Sequence, residues 1–238
     1  MTRKRMNANV ITPATIIVNA AMDKGGIRLK LCGRDWTLLR PDDLESLWQA
    51  LSDDEFNDDE RLPYWVELWP ASLALAQWLK RNQERIAGRT CLDLGCGLGF
   101  TALAGVWLGA KVLAMDYEAE ALAFARKNAD INKLPQPLWV IMDWRSPTVA
   151  PKSCDFIWGG DVMYETRFVE PVFAFLDHAL ADRGLAWIAE PGRNAYEHFK
   201  RVLLSRGWRF RCVVRERVEP LHTQDIPVSV NLWELSRG

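Results

Sequence analysis

The stretch RTCLDLGCGLGF, Arg89 to Phe100, changes character within its own length. TCLDL is a short apolar run, and glycines at 95, 97 and 99 then lead into FTALAGVWLG, whose apolar spacing predicts a helix. A strand that ends in alternating glycines and feeds a helix is built for close approach of a ligand. Glycine accepts positive φ without a Cβ clash, and the first turn of a helix carries N–H groups with no intrahelical partner. The pattern departs from the dinucleotide fingerprint G-x-G-x-x-G, because the glycines alternate and Asp93 stands two residues before the first of them.

That acid narrows the ligand. A carboxylate so close to the turn repels a pyrophosphate and suits a cationic ammonium group. The next apolar strand, KVLAMD, ends on Asp116, 19 residues after Gly97, where a carboxylate can accept from both hydroxyls of a ribose. A ribose and an amino group without pyrophosphate describe S-adenosyl-L-methionine. Another nucleotide, or a turn with a purely structural role, are the alternatives.

Downstream, helices alternate with short apolar runs. YEAEALAFARKNAD reads as helix, PLWVIMD and CDFIWGGD as strands, much of RFVEPVFAFLDHALAD as helix, GLAWIAE as strand and NAYEHFKRVLLSRG as helix. Short apolar strands separated by helices predict a parallel sheet covered on both faces, a doubly wound α/β fold. WRFRCVVRERVE and PVSVNLWEL alternate apolar with polar residues and predict an antiparallel pair closing that sheet. Arg209, Arg211, Arg215 and Arg217 alternate along the first of the two, so either a basic rim or ordinary solvated strand positions are expected there.

Upstream, LPYWVELWPASLALAQWL, Leu62 to Leu79, places Trp65 and Trp69 before a helix that Pro70 can start. IRLKL and DWTLL predict a small hairpin across Cys32, Gly33 and Arg34. RPDDLESLWQAL predicts a helix, with Asp42 and Glu45 as a capping box and Leu44, Leu47, Trp48 and Leu51 on one face. SDDEFNDDE, Ser52 to Glu60, reads as a solvated acidic linker or a strip for basic partners. Residues 1–60 are thus expected to form an N-terminal extension, and residues 61–238 the main domain.

Composition limits the partners. With 30 basic and 31 acidic residues the chain has no positive surplus to neutralise a nucleic-acid backbone. Cys32, Cys91, Cys96, Cys154 and Cys212 lack metal-like spacing, so no metal is expected, and they read as reduced thiols of a cytoplasmic protein. MTRKRMNANV is followed by no apolar segment of signal-peptide type, and no apolar run approaches the roughly 18 residues of a membrane span. His178, His198 and His222 are scattered and none is assigned as a base.

DLGCGLG resembles the first motif of class I S-adenosylmethionine-dependent methyltransferases. The resemblance covers Pro63 to Gly238 and implies a Rossmann-like seven-stranded sheet with an antiparallel C-terminal strand. It also implies cofactor-binding roles for Asp93, Gly95, Gly97, Gly99, Asp116 and Tyr117. MDW resembles the segment bordering the adenine, which gives Asp143 and Trp144 parallel roles. The sequence after DFIW lacks the proline pair of enzymes that methylate exocyclic nitrogens of nucleobases. Its DVMY instead resembles the D-x-x-Y element of seven-strand protein-lysine methyltransferases. PYWVELWPAS resembles the P-F-W-x-x-x-W-P-G segment of the electron-transfer-flavoprotein beta-subunit lysine methyltransferases. EPGR resembles their D-P-G-R, with Glu190 in place of Asp, while Ala71 and Ser72 replace glycines.

The resemblance implies transfer of a methyl group to a lysine of a protein substrate, with S-adenosyl-L-homocysteine as product; a small-molecule amine and a non-catalytic cofactor-binding protein are the alternatives. Asp161 and Tyr164 are the expected catalytic pair, Asp161 orienting the amine and stabilising charge, Tyr164 bonding to the amine or walling its channel. Glu165 is a lesser candidate. A structural alternative has Asp161 capping the following helix and Tyr164 filling the sheet edge. Gly160, Glu67 and Trp69 complete the expected cofactor set, Glu67 accepting from the cofactor's amino group, Trp69 forming a wall, and Trp65 packing into the core. Glu190 and Arg193 either pair at a strand end or reach the substrate.

Overall fold

The computed structural model describes residues 15–16, 19–23, 25–42, 63–219, 221 and 226–238. The helix expected across Leu44 to Leu51, the acidic segment Ser52–Glu60 and His222 lie outside them.

The strands of the main sheet are β5 (Thr90–Leu94), β6 (Lys111–Asp116), β7 (Leu138–Ile141), β8 (Cys154–Gly160), β9 (Leu180–Glu190), β10 (Trp208–Val218) and β11 (Val228–Arg237). Their spatial order is β7-β6-β5-β8-β9-β11-β10, and the two-residue strand β1 (Thr15–Ile16) lies along β10. The strands from β5 to β9 run parallel to their sheet neighbours, whereas β11 is antiparallel to both β9 and β10. The expected antiparallel pair is therefore present at this end of the seven-stranded order, and the place of its last strand within the pair is specific. That strand fills the slot between β9 and β10, and β10 stands outside it.

Helices cover both faces: α1 (Pro70–Arg81), α2 (Gln83–Ile86), α3 (Phe100–Trp107), α4 (Ala119–Ile131), α5 (Val169–Ala179) and α6 (Ala195–Ser205). Pro70 occupies the first turn of α1, where its missing N–H costs no intrahelical bond. The helix buries Leu73, Leu75, Leu79 and three alanines, and small residues let it lie close to the sheet. The helix expected over much of RFVEPVFAFLDHALAD spans Val169–Ala179. Leu180 begins β9 and pairs with Cys154, and an irregularity precedes the regular register from Phe156 and Leu185 onward.

That same kind of irregularity decides the arginine-rich strand. Between Cys212 and Val214 the register of β10 on β11 shifts, so Cys212 faces Trp233 and Val214 faces Leu232. One extra residue reverses the face of everything beyond it. Arg209 and Arg211 consequently share a face with Val214 and Glu216, whereas Arg215 and Arg217 share the other with Phe210. The four arginines form no single basic rim.

The hairpin is present as β3 (Gly26–Leu31) and β4 (Arg34–Leu39), and β2 (Asn19–Asp23) adds a third strand. Cys32 and Gly33 both have positive φ, as a two-residue hairpin turn requires. The small sheet is joined to the main body by amides one helical turn apart. Asn128 exchanges hydrogen bonds with Leu39 N and O, and Asn132 does the same with Thr37, so α4 supplies β4 with a substitute strand edge. Trp36 is inserted beneath, edge-on to Phe100 and Trp107, and belongs to the same core as the α1 and α3 side chains.

Candidate active site

The carboxyl ends of β5, β6 and β8 open into a cleft of about 440 Å³. A doubly wound sheet places its ligands at such strand ends. Gly95, Gly97, Asp116, Tyr117, Asp143, Trp144, Gly160, Asp161 and Tyr164 all line it, and Glu67 and Trp69 line it from the segment ahead of α1.

Gly95, Gly97 and Gly99 all have positive φ, which a side chain would strain. Their surroundings divide them. A Cβ on Gly97 would lie 3.3 Å from the carbonyl oxygen of Trp65, so the segment before α1 rests directly on the turn. A Cβ on Gly99 would meet Ala125 at 2.8 Å and Trp139 at 2.9 Å, away from the cleft, so Gly99 permits close packing of α4 and β7. Asp93 is also set back from the cleft wall. It is buried beneath the turn, where Thr101 Oγ1 donates to it at 2.6 Å, and burial pushes its carboxyl up to about 7. Its Oδ1 and the nearby indole N–H of Trp158 have no hydrogen-bond partner of good geometry among the described residues.

Asp116 is held by its own turn. Its two oxygens accept from Gly97 N at 2.7 Å and Glu118 N at 3.0 Å. Burial raises its pKa while those backbone donors oppose the rise. Asp143 accepts from the backbone and guanidinium of Arg145, and Trp144 stands edge-on to Phe168 at 5.6 Å. Glu67 is engaged by Arg40 at 2.9 Å, so an amino group reaching it would share that carboxylate with an arginine. Trp65 is half-buried and lines the cleft, its ring 5.9 Å from Phe124; it covers the glycine turn instead of entering the core.

The other end of the cleft depends on distant partners. Asp161 follows Gly159 and Gly160, has a φ of 55°, and donates its N–H to Ala189 O at 2.8 Å. Its carboxylate caps no helix. It receives both arms of Arg193, Nε at 3.0 Å and Nη2 at 2.6 Å. The bond to Asp161 holds the guanidinium pKa above its ordinary value. Arg193 in turn is anchored through its backbone by Glu190, which is buried and accepts from Gly192 N, Arg193 N, Asn231 Nδ2 and Trp233 Nε1. Glu190 and Arg193 therefore do not pair through their side chains. The carboxylate supports the loop, and the guanidinium faces the cleft.

Tyr164 stands between Tyr64, at 5.0 Å, and Phe168, at 4.9 Å, and Tyr64 also meets Trp69 at 5.9 Å. Burial raises the Tyr164 phenol, so it is a neutral hydrogen-bonding group near neutral pH. Trp69 Nε1 donates to Tyr64 O at 2.9 Å and fixes the ring as part of the wall. Tyr64 and Phe168 were not among the expected site residues. Tyr64 lies inside the quoted segment PYWVELWPAS, beside Trp65, and that was its sequence signal, whereas Phe168 lies in a helical start without distinguishing pattern.

Among the described residues the cleft wall carries six carboxylates, from Glu67, Asp116, Glu118, Asp143, Asp161 and Glu165, against two guanidiniums, from Arg145 and Arg193. Such a lining favours cationic ligands. Among the described residues no group of His, Cys, Asp and Glu is arranged to hold a metal ion, and no described helix is long and apolar enough to cross a membrane.

The lysine methyltransferase family model matches residues 55–201, which include the glycine turn, Asp116, Asp161 and Arg193. The chain belongs to the lysine methyltransferase family. It is 34% identical over 137 residues to the electron transfer flavoprotein beta subunit lysine methyltransferase of Danio rerio, covering 57% of this chain and 52% of that protein. It is 28% identical over 157 residues to the histone-arginine methyltransferase METTL23 of Rattus norvegicus, covering 63% of this chain and 69% of that protein. The matched part spans about half the length of the flavoprotein-directed relatives. The 16S rRNA N2 methyltransferase RsmC of T. thermophilus, solved with AdoMet and guanosine, shares the fold with a TM-score of 0.60 at 17% identity, over 90% of this chain and 50% of that one.

Proposed function

We propose that this family member is an S-adenosylmethionine-dependent protein-lysine N-methyltransferase, and that its acceptor is a lysine of a folded protein such as the beta subunit of an electron transfer flavoprotein. One observation carries the proposal: the carboxylates of Asp116 and Asp161, at the ends of separate strands, open onto one anionic cleft walled by aromatic rings.

The residues present suit the cofactor. Asp116 can accept from ribose hydroxyls, Trp144, Met142 and Tyr117 flank a space for a planar base, and Asp143 can accept from an exocyclic amine. Glycine at 160 lets α1 lie close against the end of β8, since a Cβ there would come within 2.9 Å of Ser72 Oγ, and Gly95, Gly97 and Gly160 all line the cleft. When bound, S-adenosylmethionine supplies an activated sulfonium methyl group.

The chain itself must deliver a neutral amine in line with that methyl. A free lysine has a pKa near 10.4, so uncovering its lone pair at pH 7 costs about 4 to 5 kcal/mol. Desolvation between Tyr64, Tyr164 and Trp69 favours the neutral form. Asp161 accepts N–H from the amine and orients it, and the Tyr164 hydroxyl offers a second bond. Holding both reactants in the cleft lowers the entropic part of the barrier.

The test uses the purified chain, methyl-labelled S-adenosylmethionine, added electron transfer flavoprotein beta subunit and a size-fractionated lysate. Label recovered as methyl-lysine after acid hydrolysis is expected. Label confined to low-mass amines, or recovered as methyl-arginine, would overturn the proposal.

A further inference from the structure

Asp161 presents a difficulty for any amine-methylating reading of the cleft. An uncompensated carboxylate beside the acceptor would attract it, but would attract the ammonium form and hold its proton. The structure offers a remedy in direct contact with that carboxylate. Arg193 lies in bidentate contact with both oxygens of Asp161, at 3.0 and 2.6 Å, and itself lines the cleft with its side chain 37% exposed.

We infer that Arg193 is the positioning residue that compensates Asp161, so that the carboxylate accepts N–H from a neutral acceptor amine without stabilising the ammonium. The inference rests on the proposed amine-methylating function, but its electrostatic half stands on the pair alone. In the balanced step the acceptor first releases one proton to water. The amine lone pair then forms the N–C bond while the C–S pair remains on sulfur, and the positive charge passes from sulfur to the methylated nitrogen. Asp161, with its charge already shared by Arg193, remains a carboxylate throughout.

Several features make the pair a device instead of an incidental surface bridge. Asp161 is buried and held with positive φ, a conformation unusual for a residue with a side chain. Arg193 is fixed by its own backbone N–H on Glu190 at 2.9 Å, and that carboxylate is saturated by four donors from the loop and β11. The charged and titratable groups facing Arg193 are Asp161 from the end of β8, Glu190 from the end of β9, Tyr196 from α6 and Tyr64 from the segment before α1. Glu190 is occupied, so among the described residues Asp161 is the carboxylate that the guanidinium's side-chain donors serve. A planar fork that binds both oxygens also sets the plane of the carboxylate, which a lysine could not do.

The inference is tested with two variants, Arg193→Gln and Arg193→Lys, in the full chain saturated with S-adenosylhomocysteine. Calorimetry first measures binding of n-butylammonium chloride at pH 7. Arg193→Gln is expected to bind it at least fivefold more tightly than the parent chain, and the Asp161→Asn/Arg193→Gln double variant is expected to lose that gain. Equal binding by the parent and Arg193→Gln would overturn compensation.

The second readout is the pH profile of methyl transfer to protein lysine under the proposed assay. For Arg193→Gln the rising limb is expected to move up by about one unit, with kcat falling at pH 7 and recovering at alkaline pH. Arg193→Lys, which keeps the charge but loses the fork, is expected to keep the parent's midpoint at reduced kcat. A uniform loss at every pH in both variants, with cofactor affinity intact, would show a purely structural role and overturn the inference. If the parent transfers no label to protein lysine while the n-butylammonium result holds, the function proposal fails and only the charge compensation survives.

Discussion

The two ends of the cleft are built in different ways. Asp116 ends β6 and is held by amides of its own neighbourhood, Gly97 N from the adjacent strand's turn and Glu118 N two residues on. Asp161 directly follows β8 and is held by Arg193, 32 residues away, which depends in turn on Glu190 and on β11. A site made from local backbone leaves a signature of glycines and acids at short spacing. A site made from side chains on separate crossovers leaves isolated residues whose partners only folding reveals.

Substitutions can break the comparison at either end. Asp161→Asn is expected to have the largest effect, lowering turnover at least a hundredfold while S-adenosylmethionine affinity measured by calorimetry stays within about threefold. A parallel loss of both would mean that the two ends are not separable. Asp116→Ala should do the reverse, weakening cofactor binding about tenfold to a hundredfold, which corresponds to about 1.5 to 3 kcal/mol for hydrogen bonds to a charged group. Unchanged affinity would remove the ribose role. Trp69→Ala, which takes a ring from the wall but leaves both carboxylates, is expected to reduce kcat/KM about tenfold and cofactor affinity less. If neither parameter moves, the ring is only a helix boundary.

The smallest effect belongs to a residue beneath both ends. Asp93 has its folded pKa raised to about 7, above the roughly 3.9 of an unfolded aspartate. The folded state therefore binds the proton more tightly, and its stabilising contribution is complete below the unfolded value and lost as pH rises toward 7. Asp93→Asn should flatten that part of the pH dependence, read as a Tm series from pH 5 to 8 in the absence of cofactor. A series parallel to the parent's would show that Asp93 does not titrate in this window.

Legibility followed the range of the interactions. The order of strands and helices from Thr90 to Glu190 could be read from apolar runs, because each run needs only enough length to cross a sheet and enough glycine to turn. The boundary between α5 and β9 could not, since HALAD has apolar spacing compatible with either and pairing with Cys154 made the choice. The faces of the β10 arginines were also hidden. Alternation predicts one face, and a single register shift opposite Trp233 and Leu232 divides them. Asn128 and Asn132 drew no expectation from the sequence, yet they fasten the small sheet to α4 and its C-terminal end.

What the sequence determined by itself was the doubly wound α/β class, the glycine turn and the acid at the end of the second parallel strand. These follow from backbone conformation and from spacing along one βαβ unit, which neighbours in the chain suffice to specify. Only the tertiary structure decided that Asp93 and Gly99 sit behind the cleft, that Trp65 covers the turn, and that Arg193 meets Asp161. Those outcomes depend on which side chains long crossovers bring within a few ångströms, and a hydrogen bond between residues 32 apart leaves no period in the chain.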